Sequence, residues 1–492
     1  MIDILLKNHN YKHDLFELIR VFFPEKELRF IEKGDNTREF LIESILVNKP
    51  KGKYTVTRVY KKNQLVKENK EHIDNINIKN YNVDKLIKIG IKKSIYNSLI
   101  ELTNISAPWG ILTGIRPMKI VHKLIDYDLD TDTISDILTK DYKLHKSKVD
   151  QMLRISKIQR KYIYPLNKDR YSIYIGIPFC PTRCSYCSFP AFKIGKDYNI
   201  VKRYVDTLLH EIEATKNLME GRVLNTIYIG GGTPTAIKTK DLEEIIKIIK
   251  YNFPQNIQEF TVEAGRPDTI NKDTLKMLKY YGVNRISINP QTMNEKTLER
   301  IERSHDIKST ISAYSLAKDI GFDIINMDII LGLPGEGEKE IKYTLNEIEK
   351  LDPDNLTVHT LALKKGSKLL KEQQSYLDNE RVNIIDMLEE VEKFTKSSDL
   401  IPYYLYRQKQ ILGNLENIGY SKENMESIYN IAMMEEKETV IGLGLGAVSK
   451  IYNPESDKIK RIPNFKSLKD YNERIEELMI RKKRTINKII KK

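Results

Sequence analysis

Cysteine is almost absent from this chain of 492 residues, which contains only Cys180, Cys184 and Cys187. Because an odd number of thiols cannot pair completely, a disulfide framework is excluded. A closed structural zinc site is a poor fit as well, since it takes four ligands and no histidine lies near this loop. Free thiols indicate a reducing compartment such as the cytosol. What remains is one short string, IPFCPTRCSYCSF, that carries every thiol of the chain.

Long apolar runs are also missing. No stretch of about 18 apolar residues occurs, so we expect no membrane span. The first residues, MIDILLKNHNYKHDLF, offer neither a basic n-region nor an adequate apolar run, so we expect no signal peptide. Together with the free thiols, these absences predict a cytoplasmic protein.

Acidic residues are outnumbered by basic ones. The chain has 82 Lys and Arg against 68 Asp and Glu, a formal net charge of +14 and a pI near 9.2. Such a surplus can indicate a nucleic-acid or anionic-substrate partner. The favoured interpretation is a global bias towards Lys, Ile, Asn and Tyr, and a polyanionic small substrate agrees with either view. The basic run IRKKRTINKIIKK is expected to be a solvated helix end.

Strand-like and helical patterns alternate between about residues 171 and 362. Helical stretches such as VKRYVDTLLHEIEATKNLM carry apolar residues at i, i+3, i+4 and i+7. Six βα units predict a parallel sheet with right-handed crossovers, too few for a closed eight-stranded barrel but enough for a partial TIM-type barrel. The predicted strands are 171–178, 225–231, 259–264, 284–289, 323–332 and 355–362.

The chain is expected to have three segments. Residues 1–165 are predicted to form an α+β N-terminal accessory domain, residues 166–365 the partial-barrel core, and residues 366–492 a mainly helical region that covers the substrate. Within the last segment, PYYLYRQKQ and the Gly-rich IGLGLGAVSKI interrupt the helical pattern. The second string reads GxGxG rather than GxGxxG and has no ribose-binding acid suitably downstream, so it supports a dinucleotide site only weakly.

The cysteine loop directly follows the first predicted strand, where a parallel barrel carries its chemistry. Soft thiolates suit an iron–sulfur cluster. A cubane held by three of them leaves one iron open to a small molecule. We therefore predict that Cys180, Cys184 and Cys187 hold a [4Fe–4S] cluster. Three chance cysteines or a three-ligand zinc loop are the alternatives.

A glycine-rich loop, GGGTPT at 230–235, ends the second predicted strand. Successive glycines let the backbone approach a ligand closely and adopt positive φ, so its amide and carbonyl groups can grip a zwitterion. A tight turn is the alternative for the string taken alone. Tyr174 lies two strand positions before Gly176 and faces the same side. Its hydroxyl can bind the same ligand, and a core aromatic is the alternative.

Later strands deliver polar residues to the same edge of the sheet. Glu263 ends the third strand, Gln291 follows the fourth, and Asp328 interrupts the apolar fifth. A carboxylate in an apolar strand is costly unless it is paired or hydrogen-bonded. Buried ion pairs with Arg266 and Arg303 are therefore one interpretation. The functional interpretation has the carboxylates hold the ribose and the methionine end of a nucleoside, with Arg303 neutralising the methionine carboxylate.

The cysteine spacing resembles the signature of radical S-adenosylmethionine (SAM) enzymes. Within that superfamily the chain resembles the oxygen-independent coproporphyrinogen III oxidases, or coproporphyrinogen dehydrogenases, and most of all the branch known as HemZ. The match is close over about residues 171–335 and looser to about 460. It is carried by YIGIPFCPTRCSYCSF, IYIGGGTPT, TVEAGRPD, RISINPQTMNEKTLERIERSH, NMDIILGLPGE and GLGLGAVSKI.

The resemblance implies a [4Fe–4S] cluster on the three cysteines, with SAM chelated to the open iron. A donor such as flavodoxin or ferredoxin would reduce the cluster, and a 5′-deoxyadenosyl radical would take one hydrogen from each of two propionates of coproporphyrinogen III. Loss of CO₂ and one electron each time would leave vinyl groups, giving protoporphyrinogen IX in heme biosynthesis. The cofactor-binding residues implied are Tyr174, Tyr186, Gly231, Gly232, Thr233, Glu263, Gln291, Arg303, Asp328, Ala362 and Val448.

A tetrapyrrole with four carboxylates needs cationic or hydroxyl partners. The stretch PYYLYRQKQ offers Arg407, Tyr404 and Tyr406, which we expect to meet the propionates. Arginine is the first choice because a guanidinium can bind a carboxylate in a bidentate way. No residue is assigned to the catalytic step itself.

Two positions depart from the best-known oxidases of this family. Phe189 stands where they carry a fourth cysteine, as it does in the sister heme-chaperone branch, and Gly176 stands where they have histidine. A heme-binding chaperone without decarboxylase activity is therefore the alternative function. Against it, the His-Asn-x-x-Tyr-Trp string of that branch is absent and the only tryptophan is Trp109. A radical enzyme acting on tRNA is a third hypothesis, which the basic charge motivates and the lack of an obvious RNA-binding domain opposes.

Overall fold

The structure is a computed structural model that describes residues 1–32, 39–50, 52–105, 107–254, 256–364, 366–372, 381–409 and 411–490. The chain divides into two units, Met1–Ser156 and Lys157–Lys492. The three-segment division of the sequence stays a prediction, and its boundary at residue 365 lies outside the described residues. None of the described helices combines the length and apolarity that a membrane crossing requires.

The first unit is built on a five-stranded sheet. Its strands are β1 (Ile2–Lys7), β2 (Leu28–Ile31), β3 (Phe40–Lys49), β4 (Gly52–Lys61) and β5 (Gln64–His72). Their order is β2-β1-β3-β4-β5, with β1 parallel to β2 and β3 and with β3, β4 and β5 antiparallel. The helices are α1 (Lys12–Phe22), α2 (Val83–Thr103), α3 (Met118–Ile125), α4 (Thr131–Asp136) and α5 (Lys146–Ile163), which continues into the second unit.

The centre of the second unit is a set of six parallel strands that neighbour one another in chain order. Each begins and ends within two residues of a predicted strand, and the predicted partial barrel is confirmed. Their buried faces consist of β-branched and aliphatic residues, as a parallel sheet covered on both faces requires. The strands are β6 (Arg170–Ile177), β9 (Val223–Gly231), β10 (Glu259–Glu263), β11 (Arg285–Ser287), β12 (Ile324–Leu331) and β13 (Asn355–Thr360). The short strands β7 (Phe179–Cys180) and β8 (Phe192–Lys193) form a separate pair between β6 and β9.

Amphipathic helices connect the central strands. Helix α6, for example, buries Val205, Leu208 and Ile212 at i, i+3 and i+7 and exposes its charged face. These helices are α6 (Asn199–Lys216), α7 (Thr239–Asn252), α8 (Lys272–Tyr280), α9 (Glu295–Arg300), α10 (Ile307–Ile320) and α11 (Glu338–Leu351).

The C-terminal region adds strands to both ends of the central sheet. These strands are β14 (Ile401–Tyr406), β15 (Asn417–Ser421), β16 (Thr439–Gly444), β17 (Val448–Asn453) and β18 (Lys458–Pro463). β15 and β14 extend the sheet beyond β13, and β16, parallel to β6, is followed by β17 and β18. The helices are α12 (Lys368–Glu372), α13 (Arg381–Ser397), α14 (Ile428–Glu435), α15 (Leu468–Glu473) and α16 (Ile475–Ile490).

The two sequence strings that interrupt the helical pattern of this region correspond to β14 and to β16 with β17. Two further strands, β15 and β18, carry weak signals. β15 is only NIGYS, and β18, KIKRIP, is a lysine-rich edge strand of the kind that discourages pairing with other chains.

Candidate active site

The cysteine loop lies immediately after β6 and is held on two sides. Cys180 belongs to β7, and its carbonyl accepts a hydrogen bond from Ile194 N at 3.0 Å. A turn closes between Cys187 N and Cys184 O at 3.1 Å, and Ser185 N donates to Ile301 O at 3.1 Å. Cys184 is buried, while Cys180 and Cys187 are partly exposed. The three thiols therefore lie on a backbone that the fold has already fixed.

The donor set of this loop fits an iron–sulfur cluster. Burial raises the pKa of the Cys180 thiol, and a contact of 3.5 Å with the Thr233 hydroxyl partly opposes that rise. Among the described residues no three His, Cys, Asp or Glu side chains converge on a single metal ion. That is compatible with a cubane, in which each thiolate binds a different iron. Three soft ligands on one loop, with no histidine or carboxylate among them, favour iron–sulfur over zinc.

The glycine loop at the end of β9 packs against the start of the cysteine loop. Gly232 N donates to Ile177 O and Thr233 N to Phe179 O, each at 2.8 Å. Gly231 has a φ of 110°, a conformation open to glycine. Gly232 is required for a different reason, because a Cβ there would lie 2.6 Å from Phe179 O. The loop is therefore pressed onto the cysteine-bearing segment.

Glu263, at the end of β10, is a half-buried carboxylate with few donors. Its oxygens accept hydrogen bonds from Tyr228 Oη at 2.6 Å and from Gly231 N at 3.1 Å. Burial raises the pKa of Glu263 to about 7; the Tyr228 bond opposes the rise and the nearby charge of Asp328 adds to it. A Cβ on Gly230 would lie 2.7 Å from this carboxyl group, so glycine makes room for it.

The two arginines considered as ion-pair partners bind elsewhere. Arg266 forms a bidentate pair with Asp268 at 3.0 and 2.8 Å and also donates to Thr182. Arg303 donates to Asn289 O at 2.7 Å and to Tyr186 Oη at 3.2 Å. Arg303 therefore ties the segment after β11 to the cysteine loop, which contains Tyr186.

Asp328, in the middle of β12, is paired with a histidine. Asn326 Nδ2 donates to Asp328 Oδ1 at 2.7 Å, and His359 Nε2 lies 3.6 Å from Asp328 Oδ2. His359 Nδ1 lies 3.4 Å from Tyr406 Oη. We call Glu263, Asp328, His359 and Tyr406 the acid–histidine group. His359 is not recognisable as a site residue in the sequence, because His359 meets Asp328 only through the pairing of β12 with β13.

Three side chains along β11 and the segment after it are buried, each with an oxygen that has no hydrogen-bond partner among the residues that the structure describes. Ser287, Asn289 and Gln291 alternate in sequence, and the unpaired atoms are Oγ, Oδ1 and Oε1. Gln291 has a φ of 68° and is fixed to β12, since Gln291 N donates to Asp328 O at 2.9 Å and Ile330 N donates to Gln291 O at 2.9 Å. Each unpaired buried polar group costs about 1–3 kcal/mol. Three in succession indicate a polar ligand, and of these the sequence identified only Gln291.

Tyr174 packs in an aromatic cluster with Tyr228 and Tyr429. The ring centroids of Tyr174 lie 6.3 Å from each of the other two, and those of Tyr228 and Tyr429 lie 4.4 Å apart. The ring of Tyr174 therefore packs among aromatic side chains, and its neighbour Tyr228 binds Glu263 directly; the cofactor role of Tyr174 stays a prediction. Burial raises the pKa of Tyr174, so its hydroxyl keeps its proton.

The remaining cofactor positions of the sequence analysis lie at the edges of this site. Ala362 follows β13 and forms an isolated bridge with Ile411. Val448 begins β17, and its backbone is 2.7 Å from where a Cβ of Gly442 would be. Their cofactor roles stay predictions.

The three predicted substrate residues are placed differently from one another. Arg407 is buried and donates to Asn414 O at 2.9 Å and to the Asn414 side chain, so its guanidinium is engaged by its own turn. Tyr404 is buried against Gly419. Tyr406 belongs to the acid–histidine group, with its hydroxyl 3.4 Å from His359 Nδ1. Their roles as substrate ligands stay predictions.

Comparison with known proteins gives three findings. The Radical SAM superfamily model matches residues 174–348. The chain is 40% identical over 484 residues to the oxygen-independent coproporphyrinogen-III oxidase-like protein HemZ of Bacillus subtilis, covering 97% of this chain and 96% of that protein. It is 33% identical over 301 residues to the heme chaperone HemW of Buchnera aphidicola, covering 61% and 75%.

A solved structure shares the fold. Coproporphyrinogen III oxidase HemN from Escherichia coli superposes with a TM-score of 0.53 at 23% identity, covering 66% of this chain and 73% of that one.

Proposed function

Because the chain belongs to the radical SAM superfamily and to its HemZ family of oxygen-independent coproporphyrinogen-III oxidase-like proteins, we propose that it converts coproporphyrinogen III to protoporphyrinogen IX. Two propionates would each lose one hydrogen atom, one electron and CO₂, leaving a vinyl group. The observation that carries the proposal is the acid–histidine group beside a loop that holds every thiol of the chain. We place the reaction in the cytoplasm.

The cofactors of this family are a [4Fe–4S] cluster and SAM, which together supply a 5′-deoxyadenosyl radical when an external donor such as flavodoxin or ferredoxin provides an electron. Cys180, Cys184 and Cys187 would hold the cluster. Arg303 and Tyr186 would face the charged end of SAM. The glycine loop would present its backbone there through Gly231, Gly232 and Thr233.

The nucleoside end of SAM suits the polar residues of the neighbouring strands. Glu263 and Asp328 can accept hydrogen bonds from ribose hydroxyls, and the unpaired oxygens of Ser287, Asn289 and Gln291 can accept from the same ligand. Tyr174, Ala362 and Val448 complete the proposed lining of the site. Glu263, Ser287, Asn289 and Gln291 lie at strand ends or on the segments that follow them, and Asp328 and Tyr174 lie within their strands, so a rigid sheet positions all six.

Within the described C-terminal region we propose Tyr406, together with His359, as the pair that meets a substrate propionate. His359 is partly exposed and can donate a charge-assisted bond to a carboxylate when it is protonated. Arg407 and Tyr404 remain proposals of the same kind, with the guanidinium of Arg407 first having to leave Asn414.

The test is anaerobic incubation of the reconstituted, reduced protein with coproporphyrinogen III and SAM, followed by mass analysis of the products. The proposal expects successive loss of two CO₂. His359→Gln should slow that loss, while cleavage of SAM without substrate should change little. No decarboxylation by a protein that cleaves SAM would reject the proposed reaction and leave the cofactor assignment intact.

A heme-binding chaperone is the second candidate, favoured by the identity with HemW. An imidazole and a phenol side by side, His359 and Tyr406, are possible ligands of heme iron. Stoichiometric heme binding that is lost in His359→Gln, without any decarboxylation, would establish this function instead.

A further inference from the structure

An exposed aromatic side chain lies beside the cysteine loop. Phe189 comes two residues after Cys187 and is 64% exposed, the only phenylalanine among the exposed large hydrophobic residues of the described chain. The residue before it, Ser188, lies against Gly366, since a Cβ on that glycine would be 3.5 Å from Ser188 O. The ring therefore contributes apolar surface to solvent at the edge of the proposed cluster site.

Three cationic residues lie on the segments that carry or contact the cysteine loop. Lys193 is the partner of Cys180 in the β7–β8 pair. Arg183 lies within the cysteine loop and donates to Gly366 O at 2.9 Å, so Gly366 lies against that loop. Arg183 and Lys364 are both close enough to Cys187 to interact with it electrostatically.

Within the described residues, no ion pair joins Arg183, Lys193 or Lys364 to a carboxylate. The carboxylates nearest the loop have partners of their own. Asp268 pairs with Arg266 at 2.8 Å, and Glu302 pairs with Lys368 at 2.7 Å.

We propose that Arg183, Phe189, Lys193 and Lys364 form a docking surface, the donor face, for a small acidic protein that carries one electron. The proposal rests on the proposed cluster but is independent of the substrate. The carrier would lose one electron and the cluster would gain it. Charge complementarity raises association rates and makes them salt-dependent, and an aromatic side chain at the centre of a charged surface is a common contact. The net charge of +14 adds attraction at longer range.

The test uses the full reconstituted chain and a photoreduced recombinant bacterial flavodoxin as the probe. Two quantities are measured: the rate at which the visible absorption of the cluster bleaches, and the Kd of labelled flavodoxin. Lys193→Glu and Arg183→Glu should each slow reduction about tenfold or more at low salt and less at high salt. Phe189→Ser should raise the Kd at every salt concentration. Reduction by dithionite should be unchanged in all three, which shows that each cluster is intact.

The matched control is Lys276→Glu, on the exposed side of α8, which changes net charge by the same amount. Equal slowing in this control would reduce the effect to net charge and overturn the docking surface. Rates and Kd values equal to wild type in the donor-face variants would overturn it as well. Reduction of the wild-type cluster by dithionite but not by flavodoxin would also overturn the docking surface. Decarboxylation is not measured here, so failure of the proposed substrate is a separate result.

Discussion

Glu211 on α6 is a buried carboxylate and Glu263 at the end of β10 is a half-buried one of the same unit, and their surroundings differ. Glu211 Oε1 accepts from Lys482 Nζ at 2.6 Å and Asn464 Nδ2 at 2.9 Å, and its Oε2 accepts from Gly444 N and the Tyr471 hydroxyl. Among the described residues, Glu263 receives only two hydrogen bonds and forms no ion pair, and Asp328 lies nearby.

The difference separates a structural carboxylate, Glu211, from Glu263, the ligand-binding carboxylate of our proposal. The four donors around Glu211 come from α15, α16, β16 and the segment before α15, so this group fastens the C-terminal helices to the sheet. The site around Glu263 lacks hydrogen-bond partners. Burial raises the pKa of Glu263, and neighbouring side chains carry oxygens that are unpaired among the described residues. Perturbed, under-paired groups of this kind concentrate at functional sites. A bound ligand would supply the missing hydrogen-bond partners around Glu263, whereas the protein itself already supplies them around Glu211.

The largest effect should come from removing a thiol at the ligand-binding site. Cys184→Ala leaves two thiolates, which cannot hold a cubane firmly, so we expect near-complete loss of iron and sulfide after anaerobic reconstitution. The thermal stability of the cluster-free protein should stay close to that of cluster-free wild type. Ser188→Ala on the same loop is the control. A full complement of four irons in Cys184→Ala would refute the cluster assignment.

A large loss of stability should come from the structural carboxylate. Lys482→Met leaves Glu211 buried without its cation and should reduce the free energy of unfolding by about 3–5 kcal/mol. Denaturant titration of the cluster-free chain measures this loss. Lys483→Met, exposed and adjacent, should cost little, and Glu211→Gln combined with Lys482→Met should recover much of the stability. A double variant no more stable than Lys482→Met would contradict the pairing.

The pH dependence of stability should come from the ligand-binding carboxylate. In the folded, cluster-free chain the pKa of Glu263 rises from about 4.5 to about 7. Between these values the folded state binds more protons than the unfolded state, so stability must fall as the pH rises through that window, by at most about 3 kcal/mol. Glu263→Gln should remove this fall, which denaturant titrations at several pH values would show. The same slope in Glu263→Gln and wild type would mean that Glu263 is solvated.

A smaller effect should come from the close contact of the glycine loop. Gly232→Ala places a Cβ against Phe179 O, so the loop or the strand must shift, at a cost of roughly 1–3 kcal/mol. SAM affinity, measured by equilibrium dialysis, should fall while the cluster persists. Gly195→Ala is the matched control, since nothing lies within 4 Å of a Cβ there. An unchanged affinity of Gly232→Ala for SAM would mean that the GGGTP string is an ordinary turn with no role in SAM binding.

Local patterns explain what the sequence could predict. The six central strands were recognisable because buried parallel strands are continuous apolar runs, and the cysteine loop because its spacing is short. His359 was not recognisable in the same way, because strand pairing rather than a local pattern brings it next to Asp328. The pair of Glu211 and Lys482 joins residues 271 positions apart. The sequence does not show that the Arg407 guanidinium has a partner within the protein. In the structure it donates to Asn414 O in a nearby turn.

The most direct test of the account follows one atom. Coproporphyrinogen III carrying deuterium on the β-carbons of its propionates would be incubated anaerobically with the reduced protein and SAM, and the 5′-deoxyadenosine isolated for mass analysis. We predict one molecule of singly deuterated 5′-deoxyadenosine for each vinyl group formed. Unlabelled 5′-deoxyadenosine, with the porphyrinogen recovered intact, would contradict it.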